Sequence, residues 1–333
     1  MKKYLIAFFL LLITVAAAQP ALSDLAGKPG AFSRMGFGAR GIGMGNAMIA
    51  ITDGNLVSYY NPAITVYQQN NSFQTSYSFL SFDRSLNFLN FTRKFDFYSK
   101  KDSSLVDPKP TSTAGVSIGI INSGIGKIDG RDNNGLKTKE LSTSENQFFL
   151  SVANRFSDNL SIGISAKMYY YKLYEEITST GIGLDIGALY KVDDEINIAL
   201  MISDLNSKYS WDTAPVYDRD GITTTDIFPV LKKIGVSYNK KDIGLITGIE
   251  FENSNAGTNI VRFGFEYNVF EEFYLRAGLD QWNLSNQDWP VKPSAGFSYF
   301  KQFDGIIIGV DYAFQIEQYS SADRHIVGVS VNF

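Results

Sequence analysis

Residues 304–333 read DGIIIGVDYAFQIEQYSSADRHIVGVSVNF, two alternating runs joined by a polar turn. In the final run Val327, Val329, Val331 and Phe333 share one parity, and Arg324, Ile326, Gly328, Ser330 and Asn332 the other. In the run before it, Ile306, Ile308, Val310, Tyr312 and Phe314 alternate with Gly305, Ile307, Gly309, Asp311 and Ala313. Successive side chains of a strand point to opposite faces, so each run predicts a strand with one apolar face and one small or polar face.

The same rhythm extends back to Phe73. It predicts 14 strands, at 73–80, 84–95, 113–121, 146–156, 159–174, 178–191, 195–204, 230–239, 243–252, 260–269, 272–282, 293–302, 304–316 and 324–333. A soluble sandwich also alternates. Two features favour a membrane barrel. The second face carries glycine, serine and isolated charges, as a packed wet lumen would. The connections also alternate in length: tight near Ser157-Asp158, 192–194, 240–242, Phe270-Glu271 and Phe303, long at 122–145, 205–229 and 283–292. Short turns on one side and longer loops on the other, with an even strand number, describe an outer-membrane barrel with both termini in the periplasm. The expected fold is therefore all-β: a transmembrane antiparallel β-barrel of about 14 strands with an N-terminal plug segment. The long connection at 96–112 and the short one near Phe82-Asp83 break the alternation. Val329, Val331 and Phe333 resemble the C-terminal signal read by barrel-assembly machinery.

Composition agrees. The 333 residues carry net charge −4 and a mean hydropathy of −0.07. That argues against a helical membrane protein but not against a barrel, in which alternate residues alone meet lipid. The 25 Phe and 19 Tyr suit interfacial girdles. No basic excess points to nucleic acid, and the lack of cysteine excludes disulfides and thiolate metal sites. Lys2 and Lys3 precede the apolar run 4–15 and Ala16-Ala17-Ala18, the pattern of a signal peptide ending at residue 18. The chain then divides into an N-terminal plug segment, 19–72, and a barrel, 73–333.

The plug segment holds the most particular motif. Gly38-Ala39-Arg40-Gly41-Ile42-Gly43-Met44-Gly45 is followed by Tyr59-Tyr60-Asn61-Pro62-Ala63. A phosphate cradle would need a preceding strand and a following Lys-Ser/Thr, which are missing. Small residues also permit close packing against a wall. The run GARGIGMGNAMIAITDG with YYNPA resembles the N-terminal signature of the PorV/PorQ family, within the broader FadL-like outer-membrane group. NRFSDNLSIGISAKMY (154–169), KPSAGFSYFKQFDGIIIGVDYAFQ and RHIVGVSVNF extend the resemblance over about 30–333. It implies a 14-stranded barrel with an N-terminal plug and no catalytic residues or cofactor. For PorV-type members it implies service to type IX secretion, with secretion components or cargo as partners. For FadL-like members it implies passive entry of a hydrophobic small molecule.

Parity places Lys167, Asp185, Glu250, Arg262, Glu266, Arg276, Asp280 and Asp311 inside the barrel. They form either a polar pathway or ligand cradle, or an ion-pair network filling the lumen around the plug; structural networks are the commoner case. A one-residue slip would move such charges into lipid, at about 2–4 kcal/mol for a midplane Arg or Lys. His325, the single histidine, stands beside Asp323 and Arg324 at the mouth of the last strand; catalysis or metal binding would need further partners, so a surface or hydrogen-bonded histidine is the better reading. The stretch 128–135 resembles part of a calcium loop but lacks its twelfth-position Glu, so a turn-rich loop is the better reading. Tyr209, Trp211, Pro215, Tyr217 and Phe228 make an aromatic outer loop. Trp282 and Trp289 flank another, as interfacial anchors or partner contacts. The leading expectation is a type IX accessory barrel in contact with outer-membrane lipid; the alternative is a FadL-like channel.

Overall fold

The computed structural model describes residues 23–98, 110–217, 221–286 and 288–333. The expected signal peptide lies outside them. The barrel strands are β1 (Ser72–Phe79), β2 (Arg84–Phe97), β3 (Ser112–Arg131), β4 (Lys137–Arg155), β5 (Leu160–Lys172), β6 (Thr178–Lys191) and β7 (Ile196–Leu205). After a two-stranded hairpin, β8 (Lys208–Asp212) and β9 (Thr223–Ile227), come β10 (Leu231–Lys240), β11 (Leu245–Ser254) and β12 (Asn259–Phe270). The last four are β13 (Phe273–Asn283), β14 (Lys292–Phe303), β15 (Ile306–Gln315) and β16 (Arg324–Asn332). The fourteen barrel strands form one closed antiparallel sheet in which β7 pairs with β10 and β1 with β16. Closure removes every sheet edge, the condition for strands to cross a bilayer.

Exposure follows the alternation. Ile162, Ile164 and Met168 on β5, or Val327 and Val329 on β16, are exposed while their neighbours are buried. Val331 and Phe333 share the outward parity of Val329; Phe333 stacks on Phe91, 6.5 Å between centroids. The tight connections after β4, β6, β10, β12 and β14 lie at the end that carries Phe333, here the turn end. The longer ones after β7, β13 and β15 lie at the opposite, loop end, while the long connection after β2 and the short one after β1 keep the exceptional places expected from the sequence.

Two long connections differ from the sequence expectation. The stretch 122–145 is mostly strand, because β3 and β4 continue to Arg131 and Lys137. Past Ile125 the ribbon has no further partner in β2, so no lipid-facing residue is required and the alternation fades. The supposed calcium loop is its turn: Asp132 Oδ1 accepts from the amides of Asn134 and Leu136, both at 2.9 Å, and Gly135 supplies φ +79°. The stretch 205–229 holds the β8–β9 hairpin, in which Tyr209 and Trp211 are buried, as is Phe228 after it.

The N-terminal segment packs against the inner wall from both sides. Its short helix α1 (Gly38–Gly43) touches β13–β16 and β1, and a 3-10 stretch (Pro62–Tyr67) touches β2–β6. Wall glycines explain how close it comes. Gly248, Gly264 and Gly278 sit opposite one another across β11, β12 and β13. A Cβ on them would lie 2.3 Å from Ala47 O, 2.4 Å from Met44 O and 2.1 Å from Gly45 N. Across the lumen, a Cβ on Gly187 would lie 2.0 Å from Asn61 Oδ1, and one on Gly163 2.6 Å from the Pro62 carbonyl carbon. The backbone of 43–49 and 61–65 therefore lies directly on the wall.

Candidate functional site in the lumen

Each residue of the N-terminal motif has a defined place. Asn61 caps the 3-10 stretch, its Oδ1 accepting from Ala63 N at 2.9 Å while Nδ2 donates to Ile49 O at 2.9 Å. Pro62 starts that stretch at a position where no amide hydrogen is needed, and Ala63 O accepts from Ser161 Oγ at 3.0 Å. Gly38 and Gly45 take φ +61° and +57° at the two ends of the α1 region. Gly43 lies against Gly296 of β14, and a Cβ on Gly41 would strike the Tyr60 hydroxyl. Ala39 and Met44 are buried. The Tyr60 hydroxyl lies 2.8 Å from Asn46 Oδ1 and accepts from Phe37 N at 2.9 Å. Burial pushes its pKa well above the ordinary value, so it stays a neutral hydrogen-bonding group.

The inward charges fall into three clusters. In the first, Arg40 clamps Glu266 with two bonds, Nε to Oε2 at 2.8 Å and Nη2 to Oε1 at 2.7 Å. Its Nη1 donates to Asp53 O and Asn55 O. Arg276 shares Glu266 and reaches Asp311 through Ser298. In the second, Arg262 binds Asp280 at 2.7 Å, Glu250 at 3.0 Å and Glu252 at 3.1 Å, with Lys233 3.3 Å from Glu252. Asn46 Nδ2 donates to Asp280 Oδ2 at 2.8 Å, tying the N-terminal segment to this cluster. In the third, Lys167 lies 2.7 Å from Asp185 and 3.0 Å from Asp204.

Asp204, Glu252 and Lys233 complete these clusters and were not singled out from the sequence. Glu252 and Lys233 share the inward parity of Glu250 and Gly235 and were readable. Asp204 was not, because a register shift between β6 and β7 puts Ser203 and Asp204 both inside. The only hint is chemical: Asp204 and Asn206 both have positive φ, near +60°, which Asp and Asn tolerate best. A second bulge, in β13 opposite Arg262, follows Asp280, which is inward by the plain alternation; it leaves Gln281 at φ +58° and switches the parity, so that Trp282 is exposed and Asn283 buried.

Beside the ionic clusters runs an apolar seam. Tyr209, Trp211 and Phe228 of the hairpin region are buried against Tyr169 and Tyr171; the Tyr169 and Phe228 rings are 4.7 Å apart. One cluster holds them together with Phe149, Ile121, Phe37, Met48, Val57 and Phe88. These last four line a cavity of about 550 Å³ at the turn end. Its other wall is polar, with Arg40, Gln74, Glu266, Ser330 and Asn332. Ser330 Oγ and Asn332 Oδ1 are buried there without a hydrogen-bond partner. At the loop end the seam is covered by residues 24–36: Asp24 N donates to Ala256 O at 3.0 Å, and Gly30 lies under the Phe228 ring.

His325 stands on the outward face, its Nδ1 2.8 Å from the Tyr312 hydroxyl. Among the described residues no group of His, Asp or Glu is arranged to hold a metal.

Solved structures share this barrel fold. The CymD monoaromatic hydrocarbon channel superposes with TM-score 0.60 at 13% identity, over 90% of this chain and 98% of that one. The Pseudomonas putida toluene transporter TodX gives 0.55 at 13% identity, over 89% and 96%. A Pseudomonas aeruginosa FadL homologue gives 0.55 at 11%, over 89% and 97%. The fold is that of the FadL-like outer-membrane channels. No protein-family model and no curated protein matches the sequence. PorV/PorQ membership and type IX secretion therefore find no support beyond the motif resemblance.

Proposed function

We propose that the protein is an integral outer-membrane channel through which hydrophobic small molecules pass without energy input, its N-terminal segment serving as the plug. The observation that carries this reading is the apolar seam, which joins an aromatic cluster at the loop end to the cavity at the turn end through a lumen otherwise filled by ion pairs. A structural network alone needs no such seam. The shared fold supports the reading, because the solved neighbours include a toluene transporter and a monoaromatic hydrocarbon channel. The loop end then faces outward and the turn end the periplasm, where Val329, Val331 and Phe333 would meet the assembly machinery. The ionic clusters hold the plug and wall in register; the seam carries the solute.

The test is uptake of radiolabelled toluene by cells with and without the gene. Faster uptake with the gene supports a channel. Unchanged uptake together with lost surface display of type IX cargo would instead restore the secretion expectation.

A further inference from the structure

At the loop end, a second pocket of about 260 Å³, distinct from the lumen cavity, is lined by Gln281, Asp288, Trp289, Lys292, Glu317 and Tyr319. Its walls are held in place. Trp289 Nε1 donates to Gln281 Oε1 at 3.2 Å, and Gln281 sits in the positive-φ bulge of β13. That backbone costs energy for a non-glycine residue; its return is that the Gln281 amide is left to orient the indole. Lys292 and Glu317 pair at 2.6 Å, each side chain less than one-fifth exposed. The Tyr319 hydroxyl donates to Asp288 O at 3.4 Å, and Tyr319 is 84% exposed. An interfacial anchor turns its ring to lipid, as Trp282 does on the outward face of β13. Trp289 instead has its N–H tied to a rim amide.

Two aromatic rings beside carboxylate and amide groups offer apolar faces to the C–H face of a sugar ring and acceptors to its hydroxyls. The carboxylates of Asp288 and Glu317 against one lysine leave the pocket negative, which disfavours phosphorylated or acidic sugars. We propose that this rim pocket binds a neutral pyranose sugar. The source is either a membrane glycolipid headgroup or a free oligosaccharide.

The test uses the full-length protein in phospholipid nanodiscs, prepared without sugar-based detergent. One arm titrates free hexasaccharides of glucose, galactose and mannose, read by isothermal titration calorimetry, which needs no tryptophan in the variant. The other measures binding to vesicles with and without a neutral glycolipid. The expected result is saturable binding in at least one arm, weakened about tenfold by Trp289→Ala or Tyr319→Ala, a loss of about 1.4 kcal/mol. Gln281→Gly, which relieves the backbone, weakens binding while the barrel keeps its folded mobility on gels. Binding to free sugars assigns a soluble source; binding confined to glycolipid vesicles assigns the membrane. No binding in either arm, or binding indifferent to Trp289→Ala, overturns the proposal, and neither outcome bears on transport through the lumen.

Discussion

A Cβ on Gly278 would lie 2.1 Å from the Gly45 amide nitrogen, with backbone rather than a flexible side chain in its way. Gly278→Val should destabilise the barrel by about 1–3 kcal/mol, the usual cost of overpacking. Gly126→Ala, where nothing lies within 4 Å, should leave the urea midpoint unchanged; equal effects would mean that the segment does not rest on the wall. Arg262 belongs to a different class. Removing it leaves Lys233 as the cation beside Glu250 and Glu252, and leaves Asp280 with the Asn46 amide. Arg262→Met should cost about 3–5 kcal/mol, and adding Glu250→Gln should recover part of it. A midpoint unmoved by Arg262→Met would show that the cluster is solvated rather than buried. At this scale alternation alone places Arg262 and Glu250 on the inward parity, because a strand offers two faces. It could not place Asp204, since a bulge spends one residue without changing the sequence rhythm.

The β8–β9 hairpin is attached to the barrel chiefly through β6 and the aromatic cluster. Its composition announces an aromatic loop, but not that the loop folds inward, because a Tyr or Trp serves an interface or a core equally well. Replacing 208–227 with a short Gly-Ser linker should leave a folded, heat-modifiable barrel, since every barrel strand keeps both neighbours. It should also lower toluene uptake, because Tyr209 and Trp211 are part of the outer end of the seam. Unchanged uptake in a folded variant would mean that the hairpin aromatics are no part of the route. The β3–β4 ribbon beyond Ile125 was expected as loop because its alternation fades. A hairpin outside the bilayer has no lipid to satisfy, so backbone pairing continues without the pattern that reveals it elsewhere. Deleting 127–140 should leave the urea midpoint within error of the parent; a large drop would show that the ribbon braces the barrel.

On the scale of the whole molecule, 14 strands were legible because each must present an apolar face to lipid and a small or polar face to the lumen. The lumen's division into ionic clusters and an apolar seam was not, because it depends on which strands curve to face one another and on where residues 23–71 lie. The account holds that the seam, not the charges, is the route. The most direct measurement is the initial rate of radiolabelled toluene uptake by cells carrying the parent, Val57→Leu or Val57→Asp at equal levels of folded barrel. Val57 lies in the seam and lines the turn-end cavity. The account predicts parent-like uptake for Val57→Leu and a fall to the rate of cells lacking the gene for Val57→Asp. Uptake by Val57→Asp equal to the parent would contradict it.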